Sequence, residues 1–251
     1  MLKRCRLLSI WLLCCMAATV QAELQLLTEE APPTSYSQNG ELHGLAVEIV
    51  RHLIERTGDA AHIELLPWTR GYHLAQHEPN TAIFSTVRTP EREAKFQWVG
   101  PLLIGTTSFY SLKSRNLRFD SLQQAAESGP LAVPKQWYTY ETLEAQGFKN
   151  LYGVTSSKSM VTMLKHGRVQ LIATEDLTLD AELSRGGLRA DQVQAHLPFM
   201  RSAYYIAFSL KTDAAVVQRW RRALDGMHQD GSFAEIFRRW MPHAQTPTAT
   251  E

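Results

Sequence analysis

The stretch Leu45-Ala46-Val47-Glu48-Ile49-Val50-Arg51-His52-Leu53-Ile54-Glu55-Arg56-Thr57-Gly58 decides the fold class. Leu45, Val47, Ile49, Val50, Leu53 and Ile54 form an apolar stripe at largely helical spacing, and Thr57-Gly58 supplies a C-terminal stop. On its N-terminal side, Leu24 to Leu27 reads as a short strand that ends in the turn Ala31-Pro32-Pro33-Thr34. Ser37-Gln38-Asn39-Gly40 is a second turn, and Asn39-Gly40 favours positive φ. On its C-terminal side, Ile63 to Leu66 reads as a strand, Pro67 begins a helix that runs through Leu74, and Thr81 to Phe84 is a third short strand. This β-α-β-α-β alternation implies a sheet covered by helices.

The same grammar restarts beyond residue 130. Leu131 to Val133 is a strand, Thr139 to Gln146 a helix, Leu151 to Val154 a strand, Ser157 to His166 a helix and Val169 to Ala173 a strand. The pattern repeats, although no run of residues does. Between the two units, Thr107 to Leu112 reads as an extended crossing, and Tyr204 to Phe208 as a second one after them. Val216 to Met227 and Phe233 to Trp240 then form two helices split by Asp230-Gly231. Two crossings between two α/β units predict a hinge with a cleft beside it, a usual place for a small-molecule site. The expected division is 1–22 leader, 23–108 first part of lobe 1, 109–203 lobe 2, 204–241 completion of lobe 1, and 242–251 disordered tail.

Residues 1–22 read as a cleaved signal peptide. Lys3, Arg4 and Arg6 are its positive region, Leu7 to Val20 its apolar region, and Val20-Gln21-Ala22 its cleavage site. The apolar run spans only about 21 Å as a helix, short of a bilayer core of about 30 Å. Cys14 follows Trp11-Leu12-Leu13 and lacks the small residue that lipidation needs. Cleavage removes all three cysteines and turns the net charge of +1 into −2. The mature chain then has no disulfide, thiol nucleophile or thiolate metal site. Its near-neutral charge gives no bulk field for nucleic acid or anionic lipid.

In their order and spacing, several segments resemble the extracellular solute-binding proteins of the polar amino-acid type, family 3, which serve membrane ABC importers. These are Pro32 to Gly44, Arg88-Thr89-Pro90-Glu91-Arg92 with Phe96, Gly100 and Pro101 after it, His166-Gly167-Arg168-Val169, and Asp230 to Trp240. The resemblance covers nearly all of the mature sequence. It implies an α/β, two-lobed periplasmic-binding-protein fold (Venus flytrap, type II) with two hinge crossings, and a periplasmic protein that captures a small polar solute, an amino acid or related compound. It further implies that Arg92 grips a ligand carboxylate, a task that suits a forked guanidinium. Ser85 and Thr86 would add hydroxyl or backbone contacts. Glu175, at the end of the strand after Gly167-Arg168, would pair with an ammonium, with Asp176 beside it. Tyr138 and Thr139 open the helix of lobe 2, whose N-terminus presents free N–H groups. Three of these residues also have a plainer reading: Arg92 as a solvated helix-start charge, Glu175 as a loop acid, Thr139 as an N-cap.

The chain departs from the family pattern in places. Ala31, with Glu29 and Glu30 nearby, stands where many relatives carry a ligand-covering aromatic ring, and Val87 replaces a hydroxyl residue. Trp68 and Arg70, in Pro67-Trp68-Thr69-Arg70, lie where relatives build an apolar wall; Trp68 either stacks on a ligand or packs the core, and Arg70 could meet a second negative group. An acidic or modified ligand stays open, as does a polyamine-like cation attracted by Glu29, Glu30 and Glu175.

Two other functions compete: a dehydratase-like enzyme on the same architecture, or a ligand-sensing partner of a membrane receptor. No nucleophile elbow, His-Glu-x-x-His or phosphate-cradling loop supports the enzyme. The expectation is therefore a binder, not an enzyme, with no catalytic residue, cofactor or metal, no nucleic-acid partner, a membrane permease or receptor as partner, and a monomeric state. His73 and His77, four apart on one helix face, form no recognisable metal motif.

Overall fold

The computed structural model describes residues 23–242, 244 and 246–248. The leader 1–22 and half of the expected tail lie outside the described residues. In chain order the elements are β1 (Leu24–Thr28), β2 (Tyr36–Gln38), β3 (Glu41–His43), α1 (Leu45–Thr57), β4 (Ala61–Leu65), α2 (Trp68–His77), β5 (Thr81–Val87), α3 (Pro90–Glu93) and β6 (Phe96–Leu112). They continue with α4 (Leu122–Glu127), β7 (Leu131–Pro134), α5 (Tyr138–Ala145), β8 (Leu151–Val154), α6 (Ser157–Lys165), β9 (Leu171–Glu175), α7 (Leu179–Gly186), β10 (Val193–Ser209), α8 (Ala214–Gln229) and α9 (Ser232–Trp240).

Eight strands form one sheet in the order β4-β1-β5-β10-β6-β9-β7-β8, and β2 and β3 form a separate hairpin. At one end β1 lies parallel between β4 and β5; at the other β7 lies parallel between β8 and β9. The two ends are joined by β6 and β10, antiparallel strands of 17 residues each that pair from Leu112↔Val193 to Phe96↔Ser209. A strand of that length runs about 56 Å, several times a usual strand, so each serves both α/β units. β10 pairs with β5 along its second half, while Thr107 to Tyr110 of β6 pair with β9.

The two crossings expected at 107–112 and 204–208 are thus segments of much longer strands. The shortfall has a physical cause. Gly100-Pro101 and Pro198 read as breakers because proline donates no ladder hydrogen bond. The structure accommodates Pro198 at shifts of register between Ala195 and Met200, and another shift separates Tyr204 from Ile206, opposite the Gly100-Pro101 stretch. The expected lobe boundaries 108/109 and 203/204 fall inside these strands.

Alternation along the strands builds a core on each face of the sheet. Leu24, Leu26, Ala82, Phe84, Ile206 and Phe208 point to α1, α8 and α9, whereas Leu27, Ile83, Tyr205 and Ala207 point to the α2 side. The second unit repeats this: Ala132 and Ile172 pack with α6 and α7, and Leu131, Val133, Leu171 and Ala173 pack with Leu143 and Phe148. The apolar stripe of α1 is buried as its spacing predicts. Asn39 and Gly40 have φ of 54° and 83° and join β2 to β3, as the turn reading requires. The short helices α4 and α7, of six and eight residues, stand in addition to the helices that the apolar pattern predicts.

Candidate ligand-binding site

The two α/β units face each other across a cavity whose empty volume, counted out to its mouth, is about 550 Å3. Its walls come from the ends of β1, β5 and β9 and the starts of α2, α5 and α7, together with α3. In an open α/β sheet the strand ends are where loops can bring polar groups together.

Arg92 comes from the four-residue helix α3, which Thr89 precedes and Pro90 opens at N1. It lines the cavity although only 1% of it is exposed. Its guanidinium lies 5.2 Å from the ring centres of both Trp68 and Tyr72, on α2. Nε donates to Oε2 of Glu141, on α5, at 3.1 Å. Nη2 is 3.1 Å from the same oxygen, but no hydrogen bond to it forms.

The opposite wall is acidic. Glu175 ends β9 and is 3% exposed. Its carboxyl is pushed up to about 8, chiefly by burial, against the hydroxyl of Tyr204, and with Glu182 and Asp176 raising it further. Its Oε2 has no hydrogen-bond partner among the described residues. Gly105 of β6 permits this placement, since a Cβ there would stand 3.0 Å from that oxygen. Glu182 of α7 accepts 2.8 Å hydrogen bonds from the hydroxyls of Thr174 and Thr178; burial outweighs them and pushes its carboxyl up to about 7. Glu29 follows β1 and lines the same space. Part of it reaches solvent, yet its carboxyl sits deep among protein atoms. Burial and then the charge of Glu182 push it up to about 7, against Arg92 and Arg185.

The remaining sequence-selected residues divide. Trp68, Ser85 and Tyr138 line the cavity. Ser85 holds φ at 58°, a left-handed conformation uncommon outside glycine, and its Oγ lies 3.3 Å from that of Ser35. The Tyr138 hydroxyl is 2.9 Å from Oγ1 of Thr107 and 3.0 Å from Oγ of Ser202, so it ties α5 to both long strands. Thr86, Thr139 and Arg70 are not on the cavity wall. Thr86 is buried and donates to the carbonyl of Ile83 at 3.2 Å, as the alternation of β5 turns it away from Ser85. Thr139 is buried inside the first turn of α5, whose N-cap position is Trp137, so Thr139 is not the cap. Arg70 is exposed on α2, two residues past Trp68 and so on another face of the helix. Asp176 accepts from the backbone N–H of Thr106 at 2.9 Å and is absent from the wall.

Sequence reasoning missed Glu182, Thr174, Thr178, Glu141 and Tyr72. A signal existed for one group: Thr178 and Glu182 are four apart, one turn of helix, directly after the strand-end acid Glu175. Glu141 carried none, because nothing in its neighbourhood of the sequence points to Arg92. Among the described residues no group of three or more His, Cys, Asp or Glu is arranged to hold a metal ion, and no helix is long and apolar enough to cross a membrane.

Two α/β units with a polar cavity between them form the architecture of a solute-binding protein. Residues 24–243 match the model of the bacterial extracellular solute-binding proteins, family 3, and the chain belongs to that family. No curated protein matches it by sequence. Among solved structures it is similar to a histidine kinase sensor domain described as resembling periplasmic binding proteins (TM-score 0.78, 16% identity, 89% of this chain and 98% of that one). It is also similar to an ABC uptake transporter substrate-binding protein from Streptococcus pneumoniae with bound histidine (0.74, 15%, 90% and 95%). A third is the arginine-, lysine-, histidine-binding protein ArtJ from Geobacillus stearothermophilus (0.76, 14%, 92% and 100%). At these identities the likeness shows the shared fold. The family is one of solute-binding proteins, and the second and third of these neighbours are binding proteins.

Proposed function

We propose that this chain captures a small cationic solute, a basic amino acid or a close relative, between Arg92 on one side and Glu29, Glu175 and Glu182 on the other. The observation that carries this reading is the charge inventory of the cavity. Among the described residues three carboxyls line it, and the one lining cation, Arg92, already has a carboxylate partner in Glu141. Buried carboxyls without counter-ions hold protons, and an incoming cation exchanges for those protons and restores the charges. Trp68 offers an aromatic face beside them.

The two units act as lobes, 23–108 with 204–241 and 109–203, that close on the solute by bending at β6 and β10. Export through the cleaved leader places the protein in the periplasm, where it hands its solute to a membrane ABC importer. The similarity to a kinase sensor domain favours a second reading, delivery of a ligand signal to a membrane receptor. No chemical step is part of either reading.

A thermal-shift panel of amino acids, opines, polyamines and small carboxylates tests the proposal, because a ligand of the native state raises the melting temperature by mass action. Cations should give the shifts. Stabilisation by anions or neutral solutes alone, with arginine, lysine and putrescine inert, sinks it.

A further inference from the structure

We propose that the solute is an amino acid whose side chain is lengthened through an amide to a second cation, as in an Nε-aminoacyl-lysine or a γ-glutamyl-diamine, and that the lengthened end occupies a second cavity adjoining the first. This rests on the cationic reading above and narrows it to one class.

The second cavity has an empty volume of about 560 Å3, counted out to its mouth, which matches the first. Glu29, Ala31, Trp137, Thr178 and Glu182 line both, so the two cavities share a border. Ala31 puts only a methyl group on it. A cavity of one such volume already suits a drug-sized molecule, so the two together exceed what a single free amino acid fills.

The lining residues assign the ends of the ligand. Arg92 and Glu175 line the first cavity alone. Nη2 of Arg92 and Oε2 of Glu175 are buried and have no hydrogen-bond partner among the described residues. A carboxylate at the one and an ammonium at the other supply the missing partners, which holds the head of an amino acid there. Its side chain is then the part that crosses the border.

Beyond the border stand groups of another kind. Gln136, Thr155, Ser156 and Ser157 offer a side-chain amide and hydroxyls, which suit a peptide-like linkage and give nothing to a run of methylenes. Glu30 lines this cavity alone, and with Glu29 and Glu182 it outnumbers Arg185, the one basic residue among the described residues of this wall. Nη2 of Arg185 is 3.9 Å from Oε1 of Glu30, too far for a hydrogen bond, so that oxygen can still accept from a ligand ammonium.

Isothermal titration of the purified protein with lysine, Nε-acetyl-lysine and Nε-glycyl-lysine tests the proposal. The three share one head; the second carries the amide without a cation beyond it, and the third carries both. Nε-Glycyl-lysine should bind at least about tenfold more tightly than either of the others, the gain of one charge-assisted hydrogen bond. Ala31→Phe fills the border, and Glu30→Gln removes the far charge from a solvent-exposed residue. Each should weaken Nε-glycyl-lysine about tenfold and leave lysine within about twofold; Glu30→Gln decides the matter if Ala31→Phe does not fold. Lysine that binds as tightly as Nε-glycyl-lysine overturns the proposal and leaves the cationic reading intact. So does Nε-acetyl-lysine that matches it, or a Glu30→Gln protein in which lysine and the longer ligand weaken equally. If glutamate or a neutral solute binds and no cation does, the cationic reading itself has failed.

Discussion

The hydroxyl of Tyr138 lies 3.0 Å from that of Ser202, so the first turn of α5 is fastened to the middle of β10. Thr107 of β6 completes the cluster, 2.9 Å from Tyr138 and 2.6 Å from Ser202. One side chain of the second unit therefore reads the position of both long strands at once. Any bending of β6 and β10 on ligand capture has to carry this cluster with it.

Tyr138→Phe should cost about 0.5–1.5 kcal/mol of stability, the usual net value of one hydrogen bond. The loss stays modest because Thr107 and Ser202 remain bonded to each other, so no buried hydroxyl is stranded. Urea unfolding at a fixed pH measures it. A loss above about 3 kcal/mol means that the cluster does more than hold the strands together.

Stability and binding should respond to pH in opposite senses. The carboxyls of Glu29, Glu175 and Glu182 stand at about 7, 8 and 7 in the folded chain, raised from 4.5. Between those limits the native state holds more protons than the unfolded one, so stability is fullest below about pH 4.5 as regards these groups and falls as pH rises through 7 to 8. A bound cation favours the ionised forms, so its affinity rises over the same interval, by up to about tenfold per pH unit for each proton released. Thermal melts from about pH 5 to pH 8, with and without putrescine, check both. A ligand-induced shift that shrinks with rising pH contradicts the charge assignment.

Sequence patterning carried the fold a long way because burial here follows period. The stripe of α1 is core-facing as its spacing demands, and the short apolar runs of β1, β5, β7 and β9 are buried on both faces of the sheet. What escaped was long-range. β6 and β10 are held together by pairing with residues about a hundred positions away, and their Gly100-Pro101 and Pro198 look like stops to any local reading. The site divides along the same line. Arg92, Ser85 and Glu175 end or follow elements that the pattern already marked, and all three line the cavity. Glu141 and Glu182 reach the site only through the packing of α5 and α7 against distant strands. Thr86 and Ser85 show the limit most sharply: adjacent residues at a strand end, of which the pleat turns only one to the cavity.

Asp59 provides a control far from the cavity. It is buried at the end of α1 and accepts from Arg219 at 2.6 Å and from the indole N–H of Trp220 at 2.8 Å, joining α1 to α8. Asp59→Ala strands the Trp220 donor in the core and leaves Arg219 without its partner, at a cost of about 2–4 kcal/mol. Affinity for ligand, measured where the protein is still folded, should not change. A variant with weakened binding and wild-type stability would show that α8 communicates with the cleft.

Glu175→Gln separates the two things that a buried acid can do. As a structural group, Glu175 is a burden at neutral pH: desolvation dominates its titration, Glu182 and Asp176 both raise it, and one of its oxygens lacks a donor. Replacing it with an amide of the same shape removes the charge that has to be neutralised. Ligand-free stability at pH 8 should therefore hold or rise, by up to about 1 kcal/mol. The cost should appear only in binding, as a loss of about tenfold or more for a cation, from one missing charge-assisted hydrogen bond in a water-poor site. Melting temperature and titration calorimetry on the same preparation read the two effects separately. A stability loss with unchanged affinity would make Glu175 a fold residue that merely borders the cavity.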